Sequence, residues 1–277
     1  MAAIILSAMI RPMQSETQTR PRTAGDLLRH WRQQRRLSQL DLALDAEIST
    51  RHLSFIETGR ASPSREMLQR LAERLEIPLR ERNQLLLAAG FAPLYSERGL
   101  DDPAMGSVRE AIEALLQAHA PFPALAVDRH WHIVLTNAAL APLLAGVAPH
   151  LLNGPVNALR VSLHPDGLAP RILNLGEWRH HLLERLRHQI AETGDPALGD
   201  LLAELMTYPA PETEVPASDG AIAVLLRLRT EAGDLSFLST TMIFGTPRDI
   251  TLSELAIETF LPADAMTAEV LRRSAAM

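Results

Sequence analysis

The histidines offer the first chemistry to weigh. His130 and His132 stand two apart in a run that reads as a strand, so both rings would point to one face, a spacing that can offer two imidazoles to a metal. No third ligand is placed near them in sequence, and there is no helix of the His-Glu-x-x-His type. His180 and His181 are neighbours in a helical stretch and point apart. The rest of the 10 histidines follow no pattern. Cysteine is absent, which removes disulfides, thiolate nucleophiles and Cys-ligated zinc. No phosphate-binding loop, nucleophile elbow or dinucleotide fingerprint is present. The expectation is a protein that is not an enzyme, with no catalytic residue and no metal. All 27 basic residues are Arg, so every cationic contact falls to Arg or a protonated His.

The elements that must carry these side chains fall into two textures. A length of 277 residues suits two domains. Net charge is -6, but residues 20–62 hold 8 Arg against 5 acids, whereas the residues after 103 hold 12 Arg against 20 acids. The region able to approach a polyanion therefore lies early in the chain. Met1 to Ile10 is apolar without a preceding basic residue, unlike a secretory signal. Residues 1–23 read as a flexible arm, with Met13 as an alternative start. No apolar run approaches the ~20 residues needed to span a bilayer, and the expected location is the cytoplasm.

Five short helical patterns then fill residues 24–91. The first, about Ala24 to Arg35, carries Leu27, Leu28 and Trp31 on one face. Ser38 with Asp41 forms a capping box for the second, Ser49 caps the third, and Gly59 ends it. Ser62, Pro63 and Ser64 open the fourth, and the fifth covers about Leu79 to Ala89, stopping at Gly90. Residues 92–106, rich in Pro, Gly and charge, read as a linker. Beyond it, Val108 to His119 is a helix. Ala124 to Val127 and His130 to Thr136 are strands joined by an Asp128–Arg129 turn, and Asn137 is placed to cap the next helix. Residues 138–210 are mostly helical, with Trp178 to Glu192 the longest stretch. Ile222 to Thr230 and Leu235 to Phe244 form a hairpin about Ala232–Gly233–Asp234, and Asp249 to Phe260 gives a third strand. This order implies one antiparallel sheet with helices on one side.

Residues 38–60, SQLDLALDAEISTRHLSFIETGR, closely resemble the helix-turn-helix of the Xre/lambda-repressor type, and Pro63–Ser64 and Leu68-x-x-Leu71-Ala72 extend the match. The resemblance implies an all-α, five-helix DNA-binding domain whose third helix enters the major groove. It places Thr50, Arg51 and Phe55 at base edges, Arg51 for a guanine and Phe55 for a thymine methyl. Gln39, His52 and Arg60 fall to phosphates, and Ser49, opening the helix, is counted among the DNA-contacting residues. The alternatives are an Arg51 that is merely solvated and a Phe55 that packs on the adjoining helix. Arg32 and Glu57 match positions that form a partly buried ion pair. Glu47 and Glu76 stand where such proteins commonly carry Gly, a departure costing on the order of 1 kcal/mol if the left-handed geometry is kept.

Two later stretches, Val127 to Asn137 and Asn157 to Trp178, resemble the ligand-binding domain of MmyB-like regulators, a PAS-like α+β module. The resemblance runs from about Val108 to the end, so that residues 107–277 form this second domain. It implies a small apolar or amphipathic ligand, fatty acids among them, as the only expected bound molecule. Leu159, Leu163, Leu168, Ile172 and Trp178 can line a pocket between sheet and helices, and Arg160, His164 and Arg171 can meet a carboxylate. The alternative for each is plain core or a solvated cation. The whole then reads as a homodimeric regulator on paired operator half-sites. Its rival is a regulator whose second domain serves only oligomerisation or protein interaction.

Overall fold

The computed structural model describes residues 23–209 and 223–275. Residues 1–22 of the expected arm, Met13 among them, lie outside the described residues, as does Ile222 at the start of the expected hairpin, while Thr23 belongs to the start of the first helix. The chain divides into two compact units. One runs through Ile77 and takes in Gln84–Ala92; the other comprises Pro78–Asn83 and the chain from Pro93 onward.

Five helices make up the N-terminal region: α1 (Ala24–Gln34), α2 (Gln39–Asp45), α3 (Thr50–Glu57), α4 (Arg65–Arg74) and α5 (Leu79–Ala88). Thr23 and Ser38 each complete a capping box, with Asp26 and Asp41 respectively, while Ser49 and Ser64 cap α3 and α4 with their hydroxyls. Leu28, Leu42, Leu53, Ile56, Leu68, Leu71 and Leu75 are fully buried together and form the core of this unit. Gly25 lets α1 approach the end of α3, because a Cβ there would stand 2.4 Å from the Ile56 carbonyl oxygen.

All five helices stop in the same way. The amide two residues past the cap reaches back to the third-last helical carbonyl, and the amide before it to the next carbonyl along, as in a Schellman motif. Ile48 donates to Ala43 O and Glu47 to Leu44 O; Ile77 donates to Ala72 O and Glu76 to Glu73 O. The left-handed residue is Gly59 after α3 and Gly90 after α5, but Arg36, Glu47 and Glu76 after α1, α2 and α4, at φ of 56°, 56° and 49°. The turn geometry of glycine is thus kept where glycine is missing.

In the second unit, α6 (Gly106–Ala118) precedes β1 (Ala124–Val127) and β2 (Ile133–Thr136). A helical layer follows, consisting of α7 (Pro149–Leu152), α8 (Ala158–Leu163), α9 (Leu175–Thr193) and α10 (Pro196–Thr207). The chain continues through β3 (Leu225–Thr230), β4 (Gly233–Ile243), α11 (Ile250–Ser253), β5 (Ala256–Pro262) and α12 (Ala265–Ala275). The five strands form one antiparallel sheet in the order β2-β1-β5-β4-β3, so the last strand inserts beside the first.

Helices cover both faces of this sheet rather than one. All four residues of β1 are buried: Leu125 and Val127 pack with the large core of α8, α9 and α10, while Ala124 and Ala126 face Ile112 and Leu116 of α6. A strand apolar on both sides needs cover on both sides.

Four local expectations also change. His130 and His132 are not on a strand, because the Asp128 carboxylate accepts both of their backbone amides at 2.8 Å and bends the chain into a turn, with Trp131 at φ 67°. Asn137 stands at the start of a 3-10 helix, Ala138–Leu144, but its side chain makes no capping bond. Its side chain is buried, accepting from Ala124 N and donating to Leu116 O and Phe122 O. The third strand begins at Ala256, since Asp249 instead caps α11 by accepting Thr251 N. The hairpin turns at Glu231–Ala232, with Thr230 paired to Gly233. Past Ala92 the expected linker, residues 92–106, is itself part of the second unit, with Ser96 O accepting Ile250 N and Asn83 bonding Leu94 and Tyr95.

Candidate functional site

Two sites emerge, one in each unit. On α3 the buried positions are Leu53, Ile56 and Glu57, which turns the other face outward. Arg51 is exposed and its guanidinium lies 5.3 Å from the ring centre of Phe55, one turn on. A cation over an aromatic face preorganises both side chains on one surface. Thr50 and His52 are half-buried, and Arg60 is exposed just past the helix. Ser49 spends its hydroxyl on His52 N.

Behind this face lies the ion pair that sets it. Arg32 donates to both Glu57 oxygens, at 2.7 and 3.0 Å, and the Glu57 side chain has no exposed surface. Arg29 adds a second cation 3.5 Å from Glu57. Gln39 donates its side-chain amide to Glu57 at 2.8 Å, so the start of α2 is pinned to the end of α3. Burial pushes the Glu57 carboxyl up, but hydrogen bonds from Arg32 and Gln39 and the charges of Arg32 and Arg29 outweigh it and hold the group below its ordinary range.

The second site is an apolar cavity of about 80 Å³ between the sheet and the α8–α9 layer. Among the lining residues are Leu125, Leu140, Leu159, Leu168, Trp178 and Phe260. Its polar groups, among the described residues, are Ser162, Ser239 and one ion pair, Arg185 with Glu258. Arg185, from α9, meets Glu258 of β5 at 2.7 Å and donates to the Thr241 hydroxyl at 2.9 Å; that hydroxyl donates in turn to Glu258. The same guanidinium lies 4.9 Å from the Trp131 ring centre. Trp131 is fixed by donating its indole N–H to Gln189, and Trp178 by donating to Ser162. Burial and then the Arg185 charge hold the nearby His181 imidazole below its ordinary range.

The residues expected around a ligand are divided by the structure. Leu159, Leu168 and Trp178 reach the cavity wall, while Leu163 and Ile172 are buried in the surrounding core and do not line it. Arg160 is held by Glu204 at 2.6 Å, and His164 packs its ring 4.9 Å from Tyr208. Arg171 donates to the carbonyl of Leu143, itself a wall residue. Sequence reasoning missed Arg185 and Glu258. The signal was present for Arg185: Trp178, Leu182 and Arg185 are spaced four and three apart, one helix face on which an Arg follows two apolar residues.

Two family models match the chain. The family model described as helix-turn-helix matches residues 28–82, and that of the MmyB-like transcription regulator ligand binding domain matches residues 108–273. No curated protein matches the chain. One similar solved structure is the clp gene regulator ClgR from Corynebacterium glutamicum, 22% identical, covering 35% of this chain and 90% of that one, with a TM-score of 0.22. Another is an RNA-binding light-oxygen-voltage receptor, 15% identical, covering 92% of this chain and 65% of that one, with a TM-score of 0.24. No helix among the described residues is long and apolar enough to cross a membrane.

Proposed function

Since this chain belongs to the MmyB-like transcription regulators, a DNA-binding domain joined to a ligand-binding domain, we propose that a small apolar or amphipathic effector occupies the cavity beside Arg185. The observation that carries this reading is a wall apolar throughout except for two serines and one ion pair. Such a lining takes an alkyl or similar body and orients it by a single polar end. Fatty acids have such a body, and at about 80 Å³ the cavity has to widen to take a long chain. At the head, Arg185 is already neutralised by Glu258, so a protonated carboxyl, a hydroxyl or an amide is accommodated more easily than a bare carboxylate, which would meet Glu258 as a like charge.

In the same proposal the first unit reads an operator in the cytoplasm. Thr50, Arg51 and Phe55 meet base edges, and Gln39, Ser49, His52 and Arg60 lie along the phosphates. Two copies on paired half-sites convert weak single contacts into tight binding. The effector acts by binding one of two states of the regulator better than the other.

Native mass spectrometry of the purified protein, followed by denaturing extraction, tests the effector assignment. The expected result is a stoichiometric small molecule with an alkyl or similarly apolar body, lost or depleted in Arg185→Ala. A clean dimer with nothing bound and no stabilisation by a lipid panel would instead make the second domain an interaction module.

A further inference from the structure

We infer that the turn between β1 and β2 binds one divalent ion of the zinc class through Asp128, His130 and His132. Each of the three offers a donor atom, and these atoms lie within 4.8 Å of one another. The carboxylate is fixed before any ion arrives: its Oδ1 accepts the amides of His130 and His132, which leaves Oδ2 facing His132 Nδ1 at 3.0 Å. Two donors on a tetrahedral ion with bonds of about 2.1 Å stand about 3.4 Å apart. That edge therefore opens only slightly as the ion replaces the shared proton, which leaves His132 Nδ1 for solvent.

His130 is prepared from the other side. Its Nε2 lies 2.9 Å from Oδ2 of Asp195, a buried carboxylate that also caps α10. A carboxylate on one ring nitrogen holds the proton there and leaves the other, Nδ1, as a free lone pair, the arrangement that supports imidazole ligands in metal sites. Arg129 also touches Asp195, and Glu254 engages the same guanidinium while bonding Arg80 as well, so this cation is directed at Asp195 and Glu254.

Two imidazoles and a carboxylate without sulfur suit Zn²⁺, Ni²⁺ or Cu²⁺. Three protein ligands leave a position for water. Asp128 and His130 line a polar crevice of about 750 Å³, which gives the ion a path from solvent.

His150, His164 and Asp166 form a second such grouping and serve as an internal control. There the backbone amide of Asp166 already occupies His164 Nδ1 at 3.0 Å, and His150 is exposed.

Calorimetric titration of the full chain with ZnCl₂ in a non-chelating buffer decides the matter. One site per chain is expected, with proton release. His130→Ala and His132→Ala should each weaken binding at least about tenfold, and His150→Ala should leave it unchanged. His130→Gln and His132→Gln, checked by circular dichroism in EDTA, separate lost ligation from lost folding. No binding, binding retained in a folded double variant, or binding lost in His150→Ala would overturn the assignment.

Discussion

Glu57 is a carboxylate with no exposed side-chain surface, held by Arg32, Arg29 and Gln39. Removing it leaves the Arg32 charge buried without an anion, so Glu57→Ala should destabilise the first unit by on the order of 3–5 kcal/mol in denaturant titration. The pH dependence has a fixed sign. Because the folded pKa lies below the ordinary 4.5, the stabilisation is complete above about pH 4.5 and is lost as pH falls through the folded value. The gap between wild type and Glu57→Ala should therefore narrow in acid; a gap that widens would refute the pairing. This ion pair was legible only through the resemblance to known helix-turn-helix proteins, since a lone Glu in a short helix otherwise reads as surface charge. The pairing of Arg185 was not legible in that way, because Glu258 lies 73 residues away, on β5, and sequence offers no sign that the two meet.

At the scale of elements, helix starts and stops were the most readable features. Ser38, Ser49 and Ser64 cap where expected, and Gly59 and Gly90 take the left-handed positions. Each of these signals is local, set by one side chain and the nearest amides. The failures are equally instructive. His130 to His132 has strand composition, yet a carboxylate two residues upstream captures its amides and makes a turn. The same competition, from Asp249, converts the start of an expected strand into α11. Alternation of apolar residues gives no warning of such side-chain captures. Glu47 was foreseen as a strained stop and keeps the left-handed geometry, together with Glu76 and the unanticipated Arg36. Replacing each with Gly should stabilise by about 0.5–1 kcal/mol after the entropy of the unfolded chain is counted. Thermal melts of the three single variants and the triple variant check this, with roughly additive gains expected because the sites end different helices.

For the whole molecule, charge and chemistry are divided along the chain. The net positive stretch lies at residues 20–62, and the excess of acids lies after residue 103. This supports assigning DNA reading to one unit and effector binding to the other, with separable phenotypes. Arg51→Ala should weaken specific operator binding by about 1–3 kcal/mol in a titration at fixed salt, while the amount of co-purified effector and the melting behaviour stay unchanged. Unaltered discrimination between operator and random DNA would remove Arg51 from the base-reading set.

The tryptophans have a consequence of their own. Of the 3 in the chain, Trp131 and Trp178 stand in the cavity wall, and Trp31 is buried in α1. Trp131 also lies between His130 and His132, with a guanidinium over its ring. Light emission from this side chain therefore depends on its immediate electrostatic surroundings, and any guest in the cavity or charge at the turn alters them. With Trp31 replaced by Phe, the remaining fluorescence comes from the cavity wall alone, and the molecule becomes its own optical gauge of occupancy.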